Sequence, residues 1–178
     1  MTSAGSRFRA AVAAEKPLQV VGAINAYAAL LAQRAGFRAL YLSGAGVANH
    51  SYGWPDTGKT ELGDVLIDAR RIAQRVELPL LVDIDTGWDD PAVAVRELAG
   101  AGVAAVHLED QVPAKLCGHL PGKHLVSAEE MAGRVRGRGA GQARPGLRGD
   151  RAHGLPRRSK ASRPPFAARK PTSPPAPI

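Results

Sequence analysis

The chain has 178 residues and one cysteine, a length that suits one domain and a cysteine count that excludes an internal disulfide framework and fits a reducing cytosol. Residues 1–133 carry 12 Lys and Arg against 15 Asp and Glu, a net charge of −3, whereas residues 134–178 carry 12 against the single acid Asp150, a net +11. The overall charge of +8 therefore describes only the last part. No uninterrupted apolar run approaches the roughly 20 residues that span a bilayer, and the start leads into a charged amphipathic stretch rather than a signal core. A soluble, cytoplasmic protein is expected.

In chain order, Arg7 to Lys16 has the spacing of a short surface helix. Leu18 to Ile24 reads as a first buried strand. Asn25 is placed to cap an Ala/Leu-rich helix, and Gly36 to stop it. Ala39 to Gly44 reads as a second strand, followed by a loop from His50 to Thr60. Leu62 to Val76 has helical spacing, and Pro79 to Asp85 is a third strand. Pro91 to Ala101 is a helix with Pro91 in its first turn and Asp89 or Asp90 before it. Val103 to Glu109 is a fourth strand. Ser127-Ala128-Glu129-Glu130 is a capping-box signature for one more helix.

Strands alternating with helices signal a parallel α/β sheet or barrel. Four strands make half of an eight-stranded barrel, whose usual length is about 250 residues. Functional groups gather at the C-terminal ends of such strands. Asp83, Asp85 and Glu109 are thus expected on one rim, and an all-oxygen set of acids suits Mg²⁺, with Mn²⁺ as the second choice. The single cysteine, Cys117, follows closely. Alone it reads as a small buried hydrophobe; beside Lys115, Gly118 and His119, after a strand-end carboxylate, it reads as catalytic. Asp83 and Asp85 alone read equally as capping acids, and Ser43-Gly44-Ala45-Gly46 as a simple turn. His50 and His107 read as structural, and Trp54 and Trp88 as packing residues.

The segments Tyr41-Leu42-Ser43-Gly44-Ala45-Gly46-Val47-Ala48, Pro55-Asp56-Thr57-Gly58, Val82-Asp83-Ile84-Asp85-Thr86-Gly87-Trp88, His107-Leu108-Glu109-Asp110-Gln111 and Lys115-Leu116-Cys117-Gly118-His119 resemble, in this order, the isocitrate lyase/phosphoenolpyruvate mutase superfamily. Within it they look most like the 2-methylisocitrate lyases. The resemblance covers roughly residues 7–133. It implies the N-terminal half of a phosphoenolpyruvate/pyruvate-type TIM (β/α) barrel, a bound Mg²⁺, and cleavage of a 2-hydroxy tricarboxylate to pyruvate and succinate in propionate catabolism. It further implies that Asp83 and Asp85 hold the metal, with Glu109 and Asp56 acting through waters. Tyr41, Ser43, Gly44 and Ala45, with Cys117 and Gly118, would contact the substrate. Cys117 would be the acid/base, with Lys115 and His119 beside it in a gating loop. A phosphoenolpyruvate mutase or an oxaloacetate hydrolase is the alternative of the same class, and Cys117-Gly118-His119 argues against both.

Three departures accompany the resemblance, one of them a segment between Trp88 and the fourth strand that looks about three residues shorter than usual. Leu116 stands where the family usually has a basic residue. The later barrel strands, which would supply an arginine and an acid to the substrate carboxylates, have no counterparts in the sequence. Eight of the 14 prolines lie beyond residue 133, and hydrophobic periodicity stops there, so residues 134–178 read as a basic disordered tail. A shifted reading frame is the favoured origin. A basic nucleic-acid-binding arm is the alternative of another class, disfavoured because Phe166 is the tail's only aromatic. With half a barrel, the family's homo-oligomer is not expected to form properly, and the chain as written is expected to show little or no catalysis.

Overall fold

A computed structural model describes residues 3–137. The order is α1 (Ala4–Ala14), β1 (Val20–Gly22), α2 (Ala26–Arg34), β2 (Ala39–Leu42), a short helix α3 (Gly44–Gly46) running into a π-helix (Val47–Tyr52), α4 (Leu62–Ala73), β3 (Leu80–Asp83), α5 (Pro91–Gly100), β4 (Ala105–His107) and α6 (Ala128–Val135). The strands form one parallel sheet in the order β1-β2-β3-β4. Sequence order equals spatial order, with a helical connection between successive strands. That is the arrangement of the first four units of a (β/α) barrel.

Local chemistry sets the helix ends. The Asn25 side chain accepts from the Ala28 amide at 2.9 Å, and Gly36, at φ +88°, turns the chain out of α2. Asp90 accepts from Ala92 N at 2.8 Å, and Pro91 occupies the first turn of α5, where its missing N–H costs nothing. Ser127 accepts from Glu130 N at 3.1 Å. The return half of that capping box is not made, because Glu130 Oε1 pairs instead with Arg134 at 2.8 Å.

Strand alternation divides the sheet into two faces. Leu40, Leu42, Leu80, Val82 and Ile84 are at most 1% exposed and pack with Val65 and Ile72 of α4 and Leu98 of α5. The other face carries Tyr41, Leu81, Asp83, Ala105 and His107, brought level by the register Tyr41↔Leu81 and Asp83↔His107. Burial of the first set against the helices leaves the second for the site.

The expected loop from His50 to Thr60 begins later than anticipated. The Ser43 hydroxyl caps Gly46 N at 3.2 Å, the chain stays helical through Tyr52, and Gly53 ends it at φ +68°. The regular strands are shorter than the apolar runs, although pairing continues past them: Glu109 N donates to Asp85 O at 2.7 Å. Trp54 stacks on Tyr52 at 4.5 Å, while Trp88 packs on the core. Helix α6 crosses the expected boundary at residue 133 and reaches Val135. The expected disorder and the nucleic-acid reading of the tail concern residues 134–178, of which 138–178 lie outside the described residues. No described helix is long and apolar enough to cross a membrane.

Candidate active site

The site begins at the end of β3. Asp83 and Asp85 are two residues apart and Glu109 follows β4, so the sheet itself brings them to one rim. Asp83, Asp85 and Glu109 each offer an oxygen within 4.8 Å of the others. Asp83 is fixed on both oxygens, Oδ2 accepting from Gly44 N at 3.2 Å and Oδ1 from Asp85 N at 3.1 Å. Gly44 lets the chain approach closely: a Cβ on it would lie 3.2 Å from Asp85 Oδ1 and 3.3 Å from Asp83 Oδ2, so the carboxylates would have to shift by a few tenths of an ångström. Asp85 has φ +49° and Trp88 φ +54°, conformations that disfavour side-chain-bearing residues and concentrate at functional sites. The Trp88 indole holds this turn by donating to Thr60 O at 2.8 Å.

Lys115 enters this cluster from the loop after β4. Its side chain is 2% exposed, with Nζ 2.9 Å from Asp56 Oδ1, 2.5 Å from Asp85 Oδ1 and 3.9 Å from Glu109 Oε2. Burial works against the ammonium, but its contacts with Asp85 and Asp56 outweigh that and raise its pKa. Burial raises the Asp85 carboxyl to about 6, against the opposing pull of Lys115. Asp85 Oδ1 is buried, and the Lys115 ammonium is its charge partner. One ammonium among four carboxylates leaves an excess of buried negative charge. Three converging acids that outnumber the one ammonium make an all-oxygen set that fits a hard divalent cation. Asp56 pairs with Lys115 and is not among the three acids that converge.

Residues 113–123 form an excursion closed at its base by Val112 N→His124 O at 2.9 Å and Val126 N→Asp110 O at 2.8 Å. Within it the half-buried Cys117 has its sulfur 3.8 Å from His119 Nδ1. Lys123 Nζ donates to Gly118 O at 2.7 Å. Thus Lys115 faces the carboxylates, and His119 is the thiol's polar neighbour. Tyr41 lies on the site face with its hydroxyl 3.5 Å from His107 Nδ1; burial and the nearby Asp83 carboxylate raise its pKa. Ser43 and Ala45 are half-buried at the start of the helical turn. Three further residues belong to this neighbourhood: His107, which reads as structural in the sequence, and Gln111 and Arg134, to which the sequence assigns no role. His107 sits level with Asp83, a placement that only the strand register reveals. Gln111 and the buried Arg134 join the loop to its surroundings, and the sole local signal for Arg134 is its spacing of four from Glu130.

Among proteins of known function, the chain is similar to the 2-methylisocitrate lyase of Shewanella oneidensis, 61% identical over 137 residues that cover 75% of this chain and 47% of that one. Among solved structures it resembles oxaloacetate acetylhydrolase in complex with 3,3-difluorooxalacetate, with TM-score 0.70 and 36% identity over 76% of this chain and 48% of that one. It also resembles a phosphonopyruvate hydrolase in complex with oxalate and Mg²⁺, with TM-score 0.58 and 29% identity over 80% and 50% of the two chains. The chain therefore spans about half the length of the curated relatives it matches. The family model for phosphoenolpyruvate phosphomutase matches residues 8–147. With the parallel sheet and its rim of carboxylates, this match places the chain in the isocitrate lyase/phosphoenolpyruvate mutase superfamily.

Proposed function

We propose that this site belongs to a Mg²⁺-dependent carbon–carbon lyase of the 2-methylisocitrate type, a cytoplasmic enzyme that cleaves a small tricarboxylate to pyruvate and succinate. The observation that carries the reading is the convergence of Asp83, Asp85 and Glu109 beside a loop holding Lys115, Cys117 and His119, with Lys115 reaching into the cluster. Asp83 and Asp85 would hold the metal, with Glu109 next to them. When bound, the cation would stabilise the negative charge that develops on the substrate oxygens.

In the cleavage, the substrate hydroxyl loses its proton and its carbon becomes the pyruvate carbonyl. The electron pair of the broken C–C bond stays on the carbon that becomes part of succinate. That carbon needs a positioned proton donor, the role assigned to the Cys117 thiol, with His119 as its polar neighbour. Tyr41, Ser43, Gly44, Ala45 and Gly118 would orient the pyruvate-forming end. Closure of the 113–123 excursion over the cleft would keep water from the carbanion. The alternatives of the same class are disfavoured by the Cys117-Gly118-His119 triplet, and by 61% identity to a lyase against 36% to the acetylhydrolase.

The test is a chimera in which this chain's described residues replace the matching half of the Shewanella oneidensis enzyme. Expected are pyruvate release from 2-methylisocitrate in preference to isocitrate, dependence on Mg²⁺, and loss of release on Cys117→Ser. A folded chimera that yields no pyruvate from either substrate refutes the lyase reading.

A further inference from the structure

We propose that Gln111 is a positioning residue that ties the Glu109 carboxylate to the peptide of Leu116, so that the carboxylate rim and the Cys117 loop are held as one unit. The proposal rests on the reading of Glu109 and Cys117 given above, and it assigns work to a residue which that reading does not use.

Gln111 is 3% exposed. Its Nε2 donates to Glu109 Oε2 at 3.0 Å and to Leu116 O at 3.0 Å, while its Oε1 accepts from Leu116 N at 3.3 Å. Both backbone polar groups of Leu116 are therefore paired by one amide, as a neighbouring strand would pair them. The orientation of that amide is settled by its partners. Leu116 O can only accept and Leu116 N can only donate, so a flipped amide would oppose both. The backbone at this point is anchored as well: Arg134, 5% exposed, donates from Nη1 to Gln111 O at 2.8 Å. Gln111 also forms an isolated antiparallel bridge with Leu125, at the base of the 113–123 excursion.

The consequence follows from where the amide attaches. Leu116 immediately precedes Cys117, so fixing its peptide fixes the point from which the thiol-bearing residue starts. The second attachment of the loop is Lys115, to Asp85 and Asp56. The loop is thus tied on consecutive residues to the two ends of the same carboxylate rim. Glutamate at position 111 would keep the volume but lose both donors and set a second carboxylate against Glu109. Alanine would lose every side-chain bond.

The experiment uses the full chain, whose one cysteine makes iodoacetamide alkylation a report on Cys117 alone. Gln111→Ala and Gln111→Glu are compared with the unsubstituted chain and with Gln33→Ala, a change at an exposed position on α2. Urea midpoints separate local release from general unfolding. A hydrogen bond to a charged group and its neighbours, once lost, changes a local opening equilibrium about ten- to a hundredfold. Alkylation is expected to quicken by that factor in both Gln111 variants and not in Gln33→Ala, and Mn²⁺ affinity to fall in Gln111→Ala. Hydrogen exchange on the unsubstituted chain is independent of whether any variant folds, and should show the Leu116 amide protected like a strand amide. Wild-type alkylation rates in Gln111→Glu, or a Leu116 amide that exchanges as freely as an open loop, overturn the proposal. Failure of the unsubstituted chain to bind Mn²⁺, with alkylation still dependent on Gln111, overturns the metal assignment and supports the tether.

Discussion

Replacing Gly87 by alanine tests how the turn after β3 is built. Gly87 lies between Asp85 and Trp88 with φ +89°, and a Cβ there would sit 2.5 Å from Pro91 Cγ, 2.9 Å from Pro91 Cβ and 3.2 Å from Leu108 Cδ1. Two costs add. An L side chain in the left-handed region costs about 1–2 kcal/mol. Overpacking against a buried proline ring, which has no rotamer to swing away, costs about 1–3 kcal/mol more. The expected total is about 2–5 kcal/mol, a large share of the roughly 5–15 kcal/mol that stabilises a domain. Gly36 supplies the control, since its φ is +88° and a Cβ there would meet nothing within 4 Å. Gly36→Ala should carry only the backbone cost. Urea unfolding of both variants measures the difference directly, and Mn²⁺ binding should weaken in Gly87→Ala alone. Equal destabilisation of the two, within about 0.5 kcal/mol, would refute the argument from the Pro91 ring.

Three further outcomes follow from single contacts. Leu98 is fully buried between α5 and the sheet, so Leu98→Ala should destabilise by about 2–5 kcal/mol in urea unfolding. Asp90→Ala removes the cap on Ala92 N and should cost about 1 kcal/mol by the same measurement. The Tyr52 phenol donates to Asp64 at 2.6 Å; that bond and then burial raise its pKa from 10.0 to about 12. The folded chain therefore favours the neutral phenol, and the stabilisation is complete below pH 10 and lost as the pH rises through 10 to 12. Urea midpoints of the wild type and Tyr52→Phe should converge across that window, and a constant difference would contradict the assignment.

Much of the fold is legible in local sequence. Apolar runs mark β2 and β3 because strands buried on both faces need them, and Asn25, Ser127 and the Asp89-Asp90 pair mark helix starts because such side chains reach the free amides of the first turn, with the structure choosing Asp90 for α5. The strand-end rule likewise points to Asp83, Asp85 and Glu109 before the fold is known. The helical turn after Ser43 is less legible, since Gly44-Ala45-Gly46 has little helix preference of its own and is held by the Ser43 cap and by Gly44 N on Asp83.

What the sequence by itself determined is the α/β alternation, the caps and the identity of the rim acids, all of which depend on neighbours within a turn or a strand. The tertiary structure alone decided that His107 stands level with Asp83, that Lys115 spans Asp56 and Asp85, and that Gln111 joins Glu109 to Leu116. These pairings depend on strand register and on the path of a loop closed far along the chain. Periodicity carries no record of either, because it reports which face a residue takes and not which distant group shares that face.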